Sequence, residues 1–207
     1  MKLKNVKLIL LDVDGVLIDS KLNMNKSWNK LINEKYVSRP FSEYFKRIGT
    51  SFENILFDMG ITKDVKKIKR EYFRNSLNFK NKIKSFKTVY KTLLTLQKNY
   101  ILAIITSKNK ENTKKFLMKF FPKVKFSLIC TPSIKYRPKP NSDLFKFAFK
   151  KLRIQSKNSV YVGDTKNDII ASNKAKTNFI LAKYGYNNKD LKSKFFIRKF
   201  SDILNIL

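Results

Sequence analysis

A doubly wound parallel α/β sheet with a small helical cap inserted after its first strand is the fold this sequence predicts. Three observations carry that expectation. Short apolar runs recur at 6–11, 100–105, 126–130, 159–162 and 178–182, and amphipathic stretches separate the later ones. Strands that alternate with helices need right-handed crossovers, which give a parallel sheet with helices on both faces. Between the first run and the second, residues 17–82 show helical periodicity and no strand-like run. The expected division is therefore an α/β core of 1–16 and 83–207 around a helical cap of 17–82.

The first run, VKLILL, is apolar except for Lys7 and reads as a strand buried on both faces. It breaks into Asp12-Val13-Asp14-Gly15, two carboxylates one residue apart before a glycine suited to a sharp turn. Alone, such a pair reads equally as a helix cap or as chemistry at a strand end. In the insertion, helices are predicted over 24–35 (around Trp28, Leu31 and Ile32), 41–48, 52–59 and 65–79, with Gly49 and Gly60 at turns. The segment 85–97 then offers Phe86, Val89, Tyr90, Leu93, Leu94 and Leu96 to a sheet. The strand 100–105 ends in Thr106-Ser107-Lys108, and a helix over 111–121 stops at Pro122. After the strand 126–130 comes a loop with Pro132, Pro138 and Pro140, then a helix capped by Asn141 or Ser142 and running to Leu152. The strand 159–162 breaks into Gly163-Asp164-Thr165-Lys166-Asn167-Asp168 before a helix bearing Ile169, Ile170, Ala171 and Ala175. A strand at 178–182 and a last helix over 200–207 complete the pattern.

Composition narrows the function classes. The 207 residues suit one domain, or a core with an insertion, and 43% hydrophobic content is ample for a packed interior. No stretch approaches the ~18 unbroken apolar residues of a membrane span. The N-terminal apolar run ends in two aspartates rather than a small-residue cleavage site, so it reads as a strand and not as a leader. One cysteine, Cys130, excludes an internal disulfide, and the lack of histidine excludes Ser-His-Asp catalysis and histidine-ligated metals. Cytoplasmic residence is the default expectation. The net charge of +31 suggests a polyanionic partner. Its source is 39 lysines against 7 arginines, the lysines scattered over nearly every polar segment of a chain rich in Asn, Ile and Phe. Base reading and bidentate phosphate recognition favour arginine, so compositional drift explains the charge better than a specific nucleic-acid partner.

Four polar clusters follow four predicted strands: Asp12/Asp14, Thr106/Ser107, Lys139 and Asp164/Asp168. In a parallel sheet these ends open on one edge, where the clusters converge. Four of the chain's ten aspartates belong to this set. Taken singly, Thr106 reads as a cap, Lys139 as a solvated lysine and Asp168 as a first-turn helix acid; the joint pattern points to a site.

In chain order these clusters resemble the four motifs of the haloacid dehalogenase-like hydrolases, and the helical insertion resembles that superfamily's cap. The resemblance spans essentially the whole chain. Asp19-Ser20, Arg47-Ile48-Gly49, Lys139-Pro140 with Asp143, and Tyr184-Gly185-Tyr186-Asn187 look most like phosphoglycolate phosphatases and their relatives, while Ser142 and Lys176 depart from the pattern. The resemblance implies a phosphatase in which Asp12 is the nucleophile and Asp14 the acid and base. It also implies Mg2+ held by Asp12, the Asp14 main-chain carbonyl, Asp164 and Asp168, and a phosphoryl cradle of Thr106, Ser107 and Lys139. Such chemistry is physically coherent: a carboxylate attacks phosphorus, a second one moves the proton, and a hard cation offsets charge repulsion. Family members of the dehalogenase class lack the second aspartate, so Asp14 argues against dehalogenation. The expected partner is a small phosphorylated metabolite, with no specific nucleic acid and no membrane, and the expected state is a monomer or weak homodimer. The alternatives are a phosphosugar phosphatase or phosphomutase and, from another class, a basic nucleic-acid-binding module without catalysis. In the cap, the turn from Tyr44 to Ser51 carries Lys46, Arg47, Thr50 and Ser51. Arg47 and Thr50 are the expected specificity residues, Arg47 pairing a carboxylate on the leaving group.

Overall fold

The structure is a computed structural model that describes residues 2–186 and 188–207. Its centre is β1 (Leu8–Leu11), all four residues of which are fully buried. Parallel neighbours flank it on both sides: β4 (Ile101–Ile105) and β6 (Ser159–Gly163), with Leu11 in register with Ile104 and Val162. Beyond them lie β5 (Phe126–Cys130), β7 (Asn178–Ala182) and β8 (Phe195–Ile197), giving the order β5-β4-β1-β6-β7-β8. That register aligns the carboxyl ends of β1, β4 and β6, so Asp12, Thr106 and Asp164 emerge on one edge.

Strand side chains alternate between faces, and the two cores follow that period of two. Ile9, Leu11, Leu102, Ile104, Val160 and Val162 pack with α5 (Val89–Leu96), α6 (Lys110–Phe120) and the terminal 3₁₀ turn Phe200–Asn205. Leu8, Leu10, Ala103, Ile105 and Tyr161 pack with α7 (Asp143–Leu152) and α8 (Lys166–Lys174) on the other face. Cys130 lies in this second core, where burial pushes its thiol up to about 12. The doubly wound sheet is the fold class expected.

The insertion contributes α1 (Lys21–Asn33), α2 (Phe41–Phe45), α3 (Phe52–Asp58) and α4 (Val65–Asn78). They share an aromatic cluster: Trp28 stacks on Tyr44 at 4.5 Å between ring centroids, and the Tyr44 hydroxyl donates to Tyr72 Oη at 3.0 Å. A feature the sequence did not reveal ties the insertion at its base. There β2 (Ile18–Asp19) pairs antiparallel with β3 (Lys84–Ser85), each too short to show a period.

Other differences have local causes. The helix expected from residue 85 begins at Val89, because Ser85 belongs to β3 and Thr88 takes a left-handed conformation (φ 68°). The helix expected over 41–48 stops at Phe45, ahead of Gly49 with φ 105°. The helix expected over 200–207 is a 3₁₀ turn, and the strand β8 gave no sequence signal because FFI is short and flanked by Lys194 and Arg198. After α8, Lys176 sits in the left-handed region (φ 55°), the conformation that favours glycine just beyond a helix end. Among the described residues no helix is long and apolar enough to cross a membrane.

Candidate active site

Asp12 follows the last residue of β1 and is 5% exposed. Its Oδ1 accepts the Val13 N–H at 2.8 Å and its Oδ2 accepts Lys139 Nζ at 2.7 Å. Burial pushes Asp12 up to about 6 despite the opposing charge of Lys139, and Asp168 acts in the same direction as burial. Lys139 comes from the loop before α7 and is 1% exposed. Burial alone disfavours its charge, yet Asp12 and Asp168 together hold the ammonium well above the usual lysine range. Its Nζ donates to Asp168 Oδ1 at 2.6 Å and to Tyr161 Oη at 3.0 Å.

Asp164 leaves the end of β6 fully buried. Its Oδ2 accepts the Tyr186 N–H at 2.5 Å, while its Oδ1 has no hydrogen-bond partner. Burial, then the charges of Asp168 and Asp12, raise this carboxyl well above the ordinary range. Two glycines make room for it. A Cβ at Gly15 would stand 2.0 Å from Asp164 Oδ2, and one at Gly185 would stand 2.6 Å from the same oxygen. A buried carboxylate oxygen without a hydrogen-bond donor fits a cation ligand. Oxygens of Asp12, Asp164 and Asp168 lie within 4.8 Å of one another, a hard donor set suited to Mg2+.

Asp168 differs from its two neighbours. Its Oδ1 accepts from Lys139 and from the Tyr161 hydroxyl at 2.7 Å. Its Oδ2 accepts the N–H groups of Asp164 and Thr165 at 3.1 and 2.9 Å and the Thr165 hydroxyl at 2.7 Å. Thr165 and Asp168 thereby form the capping box of α8. Burial opposes ionisation of Asp168, yet Lys139 and these donors hold it below the usual carboxylate range. Five donors leave Asp168 little lone-pair capacity for a metal, so its charge serves to order Lys139, Tyr161 and the start of α8.

Above this cluster opens a cavity of about 800 Å³ between core and insertion. Asp12, Asp14, Thr106, Ser107, Lys139 and Thr50 all line it. The turn before α3 reaches the core: Ser107 Oγ donates to the Gly49 carbonyl at 3.3 Å, and a Cβ at Gly49 would stand 2.6 Å from Thr165 Oγ1. Arg47 does not line the cavity. Its Nη1 folds back to donate to the Glu43 carbonyl at 2.8 Å, satisfying a free acceptor near the end of α2. Cap cation and cavity do meet elsewhere, at Lys69 of α4, which is ion-paired with Glu53 of α3.

Three further residues that were not among the expected site residues join the cluster. Lys108 Nζ donates to both oxygens of Asp14 at 3.1 and 2.9 Å. Tyr161, in the middle of β6, bonds Asp168 and accepts from Lys139. Tyr186 holds Asp164 through its N–H and Asp19 through its hydroxyl at 2.7 Å. The family resemblance had singled out the segment containing Tyr186; its last residue, Asn187, lies outside the described residues.

A buried carboxylate cluster at the carboxyl edge of a doubly wound sheet, roofed by a helical insertion over a deep cavity, defines a class of α/β hydrolases with an active site between core and cap. The chain belongs to the haloacid dehalogenase-like hydrolase family, whose model matches residues 9–182, and it is an enzyme of the phosphatase kind within it. It is 29% identical to a phosphoglycolate phosphatase of Pasteurella multocida, over 97% of this chain and 98% of that one. It is 27% identical to the pyrophosphatase PpaX of Oceanobacillus iheyensis, over 98% and 97% of the two chains. Among solved structures, a predicted phosphoglycolate phosphatase from Haemophilus somnus superposes with a TM-score of 0.86 at 26% identity, covering 98% of each chain.

Proposed function

We propose that the protein is a Mg2+-dependent phosphatase that hydrolyses a small phosphate monoester through an aspartyl-phosphate on Asp12, with 2-phosphoglycolate as the leading substrate. The observation that carries this reading is the placement of Asp12. It stands at the strand end beside a buried lysine, at the floor of a cavity that Asp14 also lines. Relatives named phosphoglycolate phosphatase support the substrate class.

In the first half-reaction an Asp12 oxygen forms a bond to phosphorus as the ester P–O bond breaks, and Asp14 gives its proton to the departing oxygen. In the second, Asp14 takes a proton from water as that water attacks phosphorus, releasing inorganic phosphate and restoring the Asp12 carboxylate. Lys139 keeps Asp12 oriented through its bond to Oδ2. The Thr106 hydroxyl, Ser107 and their loop bind phosphoryl oxygens as charge moves onto them. Asp12 and Asp164 would hold Mg2+, which supplies the positive charge that offsets repulsion between nucleophile and phosphate dianion.

A second reading has its own support. A cavity of about 800 Å³ exceeds the needs of a two-carbon leaving group, and Arg47 is turned away from it. The first fact favours a larger phosphosugar ester, and the second removes the expected partner for a glycolate carboxylate. Turnover of a panel of phosphate monoesters with Mg2+ separates the readings. A preference in kcat/KM for 2-phosphoglycolate supports the first, a preference for phosphosugars the second, and turnover of none contradicts both.

A further inference from the structure

The loop after β4 carries a basic residue whose role is not explained by phosphoryl binding. Lys108 reaches from that loop to Asp14, its ammonium 2.9 Å from Oδ2 and 3.1 Å from Oδ1. Both side chains are largely shielded, at 17% and 18% exposure, so the pair is less screened than a surface salt bridge. The lysine is itself held. Its ammonium stands 5.3 Å from the centre of the Phe116 ring of α6, and its backbone N–H donates to Thr106 Oγ1 at 3.3 Å. From the opposite side Ser20 Oγ donates to Asp14 Oδ1 at 2.5 Å, and the Ser20 N–H is fixed by the Tyr186 hydroxyl at 2.7 Å.

We propose that Lys108 is a positioning residue for proton transfer: it fixes the Asp14 side chain at the cavity wall where the departing oxygen must lie. The proposal rests on the phosphatase reading above. Geometry separates it from simple loop stapling, because Lys108, Asp14, Asp12, Thr106 and Lys139 all line one cavity. Charge supports it as well. Lys139 answers Asp12 and Asp168, and Lys108 answers the Asp14 carboxylate, the form that takes a proton from water in the second half-reaction. An ammonium has three N–H donors, and Asp14 uses two of them, leaving one for an oxygen of the substrate.

The test compares two esters with the same phosphoryl group. p-Nitrophenyl phosphate releases a stable phenolate and needs little proton donation, whereas an alkyl phosphate such as 2-phosphoglycolate releases an alkoxide that needs a proton. Lys108→Met should lower kcat/KM for the alkyl ester by about 10–100-fold more than for the aryl ester, through kcat, within the ~10²–10⁴-fold that general acid catalysis is worth. Lys108→Arg should restore part of that difference. In an Asp14→Asn background, Lys108→Met should cost less than about threefold more, since both changes remove one function. Equal losses on the two esters, or full additivity with Asp14→Asn, would overturn the proposal while leaving the phosphatase reading intact. Absence of turnover by the unaltered protein on every ester would sink the phosphatase reading, and this proposal with it.

Discussion

Replacing Asp168 by asparagine preserves shape and removes one charge, at a point where five donors converge. The asparagine amide has one acceptor oxygen, so its NH2 must face either Lys139 and Tyr161 or the N-terminus of α8. Lys139, 1% exposed, would keep Asp12 as its one carboxylate among the described residues. Breaking a buried ion pair by removing one partner costs roughly 3–5 kcal/mol. For a chain of this size that corresponds to a fall in Tm of about 6–20 °C. The assay is thermal and urea unfolding followed by circular dichroism, with a chelator present so that cation binding does not contribute. The sign with pH follows from the lowered folded value of Asp168. Its stabilisation is complete above the ordinary carboxyl range and is lost as pH falls through the folded value, so the gap between the two proteins should narrow on acidification. A loss below about 1 kcal/mol, together with loss of Mg2+ binding, would refute the reasoning and make Asp168 a direct ligand instead.

Asp164 should behave in the opposite sense. Its folded carboxyl is raised, so the cost of ionising it is absent in acid and grows as pH rises above the ordinary carboxyl range. Asp164→Asn should therefore raise Tm in chelator, more at neutral pH than in mild acid, and abolish stabilisation by added Mg2+; a lower Tm in chelator contradicts the orphaned-carboxylate account. In the cap, Lys69→Ala should raise KM about fivefold for esters with an anionic leaving group, equivalent to ~1 kcal/mol for a half-exposed ion contact. Arg47→Ala should change KM little, and the reverse ranking in steady-state kinetics would restore Arg47 as the recognition residue. Lys176→Gly relieves a left-handed lysine after α8 and should stabilise by roughly 1 kcal/mol in urea titration, whereas no gain would show the strain to be absent.

The centre of the sheet was legible because β1, β4 and β6 are almost wholly buried and read as apolar runs ending in chemistry. Asp12, Thr106 and Asp164 stand just beyond those runs, so their convergence followed from parallel topology alone. Lys108 was not legible as a partner of Asp14, since one lysine among 39 carries no signal without coordinates. Tyr161 was hidden by its position inside β6, where an aromatic reads as core. Arg47 was misplaced because sequence locates a turn but not the direction of a long side chain, which a free helix carbonyl decided. Spacing placed Asp164 and Asp168 in one motif and could not say that one is left unpartnered while the other is saturated.

The central claim is that a covalent bond forms between Asp12 and phosphorus. Its most direct measurement is rapid acid quenching during turnover with Mg2+, followed by peptide mass analysis. A peptide containing Asp12 should appear, heavier by one phosphoryl group, sensitive to hydroxylamine, formed at least as fast as product and missing from Asp12→Asn. Turnover by Asp12→Asn, or a phosphoryl group found on another residue, would contradict it.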